Sequence, residues 1–300
     1  MPPKITLEQW RALVAVAEHG GYAAAATALN KSQSTLSYAV QRIEQLLEIR
    51  TFQRRGRRAE LTDTGHGLVR RARALIEEAE RLERAAAVAA GGWEPELRVA
   101  AEIIFPTWLL LECLDVLSGE QPQMRIQLHE SVLAGTSELL SAGQVDLAIA
   151  SSIPGGFIGD ALMQVRFVAA AAPSHPLHRL GRPLTREDLR GHRHLVVRDT
   201  GVQPAGDQAP NVTDQRWTVS AKATSIRAAC MGLGFAWYAE EIIRRELATG
   251  ALKPLPLVEG AQRWATLYLV HADPDAAGPG GRRLADLLRE RVSVLSGDVN

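Results

Sequence analysis

Ser32-Gln33-Ser34-Thr35-Leu36-Ser37-Tyr38-Ala39-Val40-Gln41-Arg42-Ile43-Glu44-Gln45-Leu46-Leu47 is the stretch on which the reading of the chain turns. Ser32 is a helix-capping residue: its hydroxyl can accept from one of the backbone N–H groups that a first turn leaves unpaired. Leu36, Val40, Ile43 and Leu47 then recur at i, i+4, i+7 and i+11, which predicts a helix with one apolar face. The other face carries Gln33, Ser34, Ser37, Tyr38 and Gln41. These side chains are polar and nearly uncharged, whereas a helix face that merely meets water carries more Glu and Lys. Gln and Ser hydrogen-bond base edges in a major groove, and Tyr adds a base or phosphate contact.

The residues upstream fit that reading. Thr6-Leu7-Glu8-Gln9 has the form of a capping box, and Leu7, Trp10, Leu13, Val14 and Ala17 follow at helical spacing. His19-Gly20-Gly21 ends this first helix. A short, almost all-alanine helix runs from about Ala23 to Leu29, and its small side chains let another helix approach closely. Asn30-Lys31 makes the tight turn into the Ser32 helix, and Asn tolerates the left-handed conformation such a turn uses. Two short helices, a turn and a polar outer face on the third helix make a helix-turn-helix. Downstream, the runs 51–54 and 58–61 around an Arg-Gly turn read as a β-hairpin wing, with arginines placed for phosphates or a narrow minor groove. The expected DNA-contacting set is therefore Lys31, Ser32, Gln33, Ser34, Thr35, Ser37, Tyr38 and Gln41, with Arg54, Arg55, Arg57 and Arg58 on the wing.

Thr62 can cap a helix reaching to about Ala90, roughly 40 Å long at 1.5 Å per residue. Along it Leu68, Ala72, Leu75, Ala79, Leu82 and Ala86 recur at steps of four and three, a seam that alternates large and small residues. One alternative is a stripe packed on its own domain. The dense flanking charge (Arg70, Arg71, Arg73, Glu77, Glu78, Glu80, Arg81, Glu83, Arg84) favours pairing with a second copy, and with it two-fold-related DNA half-sites.

Past Gly91-Gly92, read as a hinge, strands and helices alternate: strands at 97–101, 125–129 and 146–150, helices at 108–117 and 137–142. Such alternation predicts a parallel sheet flanked by helices. A second unit follows to about Val258, and a strand at 266–270 with a helix at 282–295 returns to the first. The expected domains are a winged helix-turn-helix over 1–62, a linker and dimerisation helix over 63–90, and a ligand-binding part over 91–300. Within the last, lobe I spans about 93–161 and 266–300, and lobe II about 162–265. The fold class is thus α/β, two Rossmann-like lobes behind an all-α-plus-wing reader. A cleft between the lobes, beyond the carboxyl ends of the strands, is where a ligand sits in such sheets. The candidates are Glu102, Ile103, Ser131, Thr136, Ser151, Arg198, Thr200 and Phe235. Arg198 can clamp a carboxylate; Glu102 can pair with Arg198 or hold an amine.

Bulk composition agrees. The 300 residues carry 34 Lys+Arg against 34 Asp+Glu, for no net charge. The distribution is uneven: residues 1–90 hold 14 basic and 10 acidic side chains, a net of +4, and the remainder carries −4. Lys31, Arg42, Arg50, Arg54, Arg55, Arg57 and Arg58 crowd one short stretch against Glu44 and Glu48. A basic footprint at one end suits phosphate contact. No apolar run approaches the roughly 18 residues of a membrane span, and Met1 to Thr6 shows no signal-peptide core, so a cytoplasmic location is expected. Cys113 and Cys230 sit in no paired motif and read as reduced, buried thiols. No G-x-S-x-G, Walker or H-E-x-x-H motif is present, Gly232-Leu233-Gly234 lacks the third glycine of a dinucleotide loop, and the His192/His194 and His175/His178 pairs lack further ligands. No enzyme, metal or cofactor is expected, and a free solute-binding protein would leave the first ninety residues unexplained.

Residues 5–90 also resemble the DNA-binding region of LysR-type transcriptional regulators. The resemblance runs through Ala24-Ala25-Ala26, Leu29, Ser32-Gln33-Ser34, Leu36-Ser37, Val40, Ile43-Glu44, Phe52, Arg54, Leu61-Thr62 and Gly65. Ala23 stands where the family usually has a capping Ser, and Lys31 where an apolar residue is usual, adding a phosphate contact. The second half is similar to the family's effector-binding domain, whose architecture is that of periplasmic binding proteins. It matches through Gly143 with Asp146-Leu147-Ala148-Ile149, His175-Pro176-Leu177, Asp188-Leu189, Gly232-Leu233-Gly234, and Glu246-Leu247 with Gly250, with Ala239 in place of a common Pro. The resemblance implies that Gln33, Ser34, Ser37 and Tyr38 face bases. It implies too that the long helix is a dimer arm, that the assembly is a dimer or tetramer, that an unknown small molecule is the effector, and that RNA polymerase is a partner.

Overall fold

The computed structural model describes residues 3–55, 58–89, 92–202, 213–260 and 262–297, and the chain divides into two compact units, Met1–Ala86 and Ala87–Asn300.

The first unit is built from α1 (Leu7–Glu18), α2 (Tyr22–Ala28), α3 (Gln33–Leu47), the antiparallel hairpin β1 (Phe52–Arg55) and β2 (Arg58–Leu61), and α4 (Asp63–Ala89). The capping box of α1 forms in full. α2 starts at Gly21 with no side-chain cap, and Asn30 takes the left-handed conformation, φ 52°, at the turn. Leu13, Ala25, Leu36, Val40 and Ile43 are buried in one core, to which α4 adds Val69 and Ala72. Leu47 does not join them. One turn after Ile43 the core-facing position falls at Leu46, so Leu47 points outward. Thr62 caps α4, accepting from the Gly65 N–H at 2.9 Å. Gly65 is required for packing: a Cβ there would run into the Thr51 carbonyl oxygen. Glu44 ties helix to wing, its Oε1 accepting from the Thr51 N–H at 2.7 Å and the Thr51 hydroxyl at 2.8 Å.

The second unit runs β3 (Glu96–Glu102), α5 (Thr107–Glu120), β4 (Arg125–Ser131), α6 (Ala134–Ser141), β5 (Leu147–Ala150), β6 (Gly159–Ala171), α7 (Arg186–Arg190), β7 (Arg193–Val197), β8 (Gln215–Val219), α8 (Lys222–Cys230), β9 (Ala236–Ala239), α9 (Arg244–Ala248), β10 (Lys253–Pro254), β11 (Gln262–His271) and α10 (Pro279–Gly297). In lobe I, β4, β3 and β5 are parallel neighbours, and β11 joins β5 antiparallel. The 13-residue β6 is the crossing element. Most of its length pairs with β11, and its last residues also pair with β9 and β10, so it belongs to both lobes. β7 and β8 form a parallel pair in lobe II, bridged to β9 through His194 and Phe235. The start of α10 is held from afar: the buried Glu94 carboxylate accepts from the Gly280 N–H at 3.0 Å and the Gly281 N–H at 2.8 Å. That meets both the unpaired donors and the positive end of the helix.

Candidate nucleic-acid interface and ligand cleft

α3 divides cleanly. Leu36, Val40 and Ile43 are at most 1% exposed, while Gln33, Ser34 and Gln41 are exposed and Tyr38 is 69% exposed. Ser37 is half-buried, closer to the helix flank than the sequence reading has it. Ser32 Oγ accepts from the Thr35 N–H at 3.1 Å and lies 2.7 Å from the Thr35 hydroxyl, so these two hydroxyls serve the cap. Lys31 forms an ion pair with Glu8 of α1 and holds the Glu8 carboxyl below its usual range. Arg54, Arg55 and Arg58 lie on the hairpin strands with side chains outside the described residues, and Arg57 lies outside them altogether.

The seam of α4 is not one stripe. Leu68 and Ala72 pack into the core of their own unit together with Val69 and Ile76. The core-facing stripe of α4 runs through Leu68, Val69, Ala72 and Ile76, beside the expected seam, and takes the first two seam positions with it. Further along, Leu75 is 48% and Leu82 72% exposed, Ala86 is exposed and Ala79 half-buried. Of the six positions expected to pair, the first two are thus taken up by the unit's own core, and the last four are exposed or half-buried.

The second unit contains a cavity of about 450 Å³ between its lobes. Lobe I contributes the ends of three strands: Glu102, Ile103 and Ile104 after β3, Val132 and Leu133 after β4, and Ser151 after β5. Lobe II and the crossing strands contribute Phe167, His194 to Val197, Lys222, Ser225, Trp237, Tyr238, Arg263 and Ala265, among others. Glu102 is 3% exposed. Its Oε1 accepts from the Ser151 N–H at 2.8 Å and the Ser151 hydroxyl at 2.9 Å. Burial raises the Glu102 pKa against those hydrogen bonds, and the charge of Asp199 adds to the rise. Lys222, at the start of α8, reaches across the cleft. Its ammonium donates to Thr107 Oγ1 at 2.9 Å and the Ile103 carbonyl at 3.3 Å, and pairs with Glu130 at 3.4 Å. Ser225 and Tyr238 hydroxyls lie 2.9 Å apart, and burial raises the Tyr238 pKa. Leu133 holds the left-handed φ of 50° on the cavity wall, a conformation an L-residue adopts only when its surroundings impose it.

Of the eight residues expected from sequence, Glu102, Ile103 and Ser151 line this cavity. The other five do not. Ser131 and Thr136 are fully buried behind it, their hydroxyls satisfied by each other at 2.7 Å. Thr200 Oγ1 accepts from the Val132 N–H at 2.9 Å and staples two loops together. Phe235 is held under β7 by backbone hydrogen bonds to Arg193 and Leu195, and its ring enters the lobe II core beside Leu177 and Leu189. Arg198 is exposed at the end of β7, and the guanidinium that does line the cavity is that of Arg263, stacked over Trp237 at 4.7 Å.

Residues 7–66 match the model of the "Bacterial regulatory helix-turn-helix protein, lysR family", and residues 90–293 that of the "LysR substrate binding domain". The chain belongs to the LysR family of transcriptional regulators. This LysR-type regulator is 31% identical over 259 residues to the "Probable HTH-type transcriptional regulator YhaJ" of Escherichia coli, covering 83% of this chain and 85% of that one. Among solved structures it shares its fold with ArgP from Mycobacterium tuberculosis (TM-score 0.66, 19% identity, 95% and 96% of the two chains). It also does so with full-length OxyR C199D from Pseudomonas aeruginosa (TM-score 0.63, 20% identity, 98% and 96%). The regulator binds DNA through its helix-turn-helix and takes an effector in its substrate-binding domain. No described helix is long and apolar enough to cross a membrane.

Proposed function

We propose that this LysR-type regulator reads its operator in the major groove through Gln33, Ser34, Ser37, Tyr38 and Gln41. The wing arginines Arg54, Arg55, Arg57 and Arg58 hold phosphates, and Lys31, Ser32 and Thr35 border the contact. The observation that carries the reading is the division of α3, whose polar side is open to solvent while its apolar side anchors the core. Base edges give sequence and phosphates give register, so the two sets act differently. Two copies sit on two-fold-related half-sites, joined as a dimer or tetramer along the exposed end of the α4 seam, Leu75, Ala79, Leu82 and Ala86. The regulator works in the cytoplasm, where RNA polymerase is a further partner.

A small molecule in the cleft lined by Glu102, Ile103 and Ser151 shifts the lobes, and the shift resets the spacing of the recognition helices. It does so only if it binds two conformations unequally. Supporting this is Lys222, whose contacts with Ile103, Thr107 and Glu130 are made across the cleft and are lost if it opens. The test is operator selection from random DNA followed by binding measurements at several salt concentrations. Selected sites should be two-fold symmetric, and affinity should fall steeply with salt. Salt-independent binding, or no DNA binding, would end the proposal.

A further inference from the structure

Two charged side chains lining the cleft differ in how well the protein serves them. Lys222 is fully engaged by Ile103, Thr107 and Glu130. Arg263, half-buried on β11, is not: it stacks on Trp237, and among the described residues no carboxylate pairs with it. Burial and the nearby charge of Arg186 both act against its protonated form. A guanidinium withdrawn from water without an acid is costly, and its planar fork matches two oxygens of one carboxylate. The carboxyl on the cavity wall, Glu102, is already tied to Ser151 through Oε1, and burial disfavours its charge. Lys222 is already balanced by Glu130, so the charge left without a partner among the described residues of the cavity wall is the Arg263 guanidinium, which favours a carboxylate over an amine. Phe167, Ile103, Ile104, Leu195 and Trp237 supply apolar walls, and about 450 Å³ suits a small organic molecule.

On the reading of the cleft given above, we infer that the effector is a small organic carboxylate. Its carboxylate takes the Arg263 fork beside Trp237, its apolar body lies against Phe167 and Ile103, and any hydroxyl it carries turns toward Glu102. The test titrates the full-length protein by calorimetry with butyrate, hexanoate, benzoate, 3-phenylpropionate and indole-3-acetate, each beside its methyl ester and the corresponding primary amine. At least one acid should bind more tightly than its ester and amine. Arg263→Gln should weaken that acid on the order of ten- to a hundredfold, the range of a lost charge-assisted hydrogen bond, and leave the ester unchanged. Arg263→Lys keeps the charge without the fork. It should retain the preference for acid over ester at reduced affinity, which guards against a folding defect in the glutamine variant. Amines or esters binding in place of the acids, with binding lost in Trp237→Ala, would overturn the carboxylate assignment and leave the cleft as the effector site. Acid binding unchanged by Arg263→Gln, Arg263→Lys and Trp237→Ala would overturn both. Failure of every acid to bind would overturn the assignment, while the salt dependence of DNA binding decides the regulator reading on its own.

Discussion

The outer face of α3 and the wall of the inter-lobe cavity both present polar side chains, under opposite conditions. Gln33, Ser34, Tyr38 and Gln41 stand in water, where each hydrogen bond to DNA replaces one to solvent. Glu102, Ser225 and Tyr238 are removed from water and must be satisfied by the fold or by a ligand. A reading surface of the first kind tolerates substitution without loss of fold. A sensing surface of the second kind couples ligand, protonation and stability, because the same groups serve all three. Changes on the exposed face of α3 should therefore alter binding alone, and changes at buried positions should alter stability first.

The largest effect expected is on the buried side of α3. Leu36 is fully buried in the core where α3 packs on α1 and α2, so Leu36→Ala should cost about 2–5 kcal/mol, lost transfer free energy plus a residual cavity. Gln33→Ala, three residues away on the outer face, should leave stability within about 0.5 kcal/mol. Urea unfolding of the two variants tests the division directly. Equal losses would mean that the polar face of α3 also packs against protein.

Next in size is an effect of acid on the second unit. His175 is 4% exposed, 5.1 Å ring to ring from His192, and burial with those neighbouring histidines pushes its pKa down to about 4. The His178 and His271 pKa values are lowered in the same direction, chiefly by burial. A depressed imidazole means that the unfolded chain takes up the proton first. The His175 contribution is present above its ordinary 6.5 and is lost as pH falls from there toward 4. At pH 5 the loss should be about 2 kcal/mol from this residue, at about 1.4 kcal/mol per unit below 6.5. Denaturant titrations at pH 7 and pH 5 measure it, and His175→Gln should flatten the dependence. Unchanged stability on acidification would show that His175 is not held neutral.

A smaller contrast lies within the reader itself. Ser37→Ala should weaken operator binding by about 1–3 kcal/mol while leaving non-specific binding nearly intact. Arg57→Ala should weaken both and reduce the salt slope by about one. Because Ser37 is half-buried, a null result at Ser37 with a large one at Gln33 or Tyr38 would rotate the proposed docking of α3 toward its exposed edge.

How far each region could be read from sequence follows the same division. α3 is legible because its evidence of burial is periodic and contiguous: Leu36, Val40 and Ile43 define the core side, and the remainder follows. Glu102 and Ser151 are legible because they follow strands, where open α/β sheets place ligands. Trp237 and Arg263 are not, since they reach the cavity only through the pairing of β9 and β11 with β6, nor is Lys222, which reaches it from the start of α8 on the other lobe. A sign was present in Arg263, a charge in a strand running on to the apolar segment 267–270, but periodicity alone does not say which face is a cavity. The seam of α4 failed for a subtler reason. Leu68 and Ala72 fit the heptad, but Val69 and Ile76 follow a second stripe on nearly the same side, and the domain's own core reaches both first.

The smallest effect expected concerns the two thiols, which separate ligand sensing from redox sensing in the second unit. Reactive cysteines are partly exposed thiolates in positively charged surroundings. Cys113 is fully buried in the lobe I core, and burial pushes its pKa up to about 11. Cys230 is half-buried at the end of α8, and its pKa is raised by burial and then by the charge of Glu246. Neither is poised to be oxidised, so hydrogen peroxide that modifies a free surface thiol should leave operator affinity and the calorimetric response to carboxylates unchanged. Trapping of sulfenic acid at either position, followed by mass spectrometry, reads the chemistry directly. Oxidation of Cys230 with a matching change in DNA binding would mean that α8, which also carries Lys222, answers to redox state as well as to the occupant of the cleft.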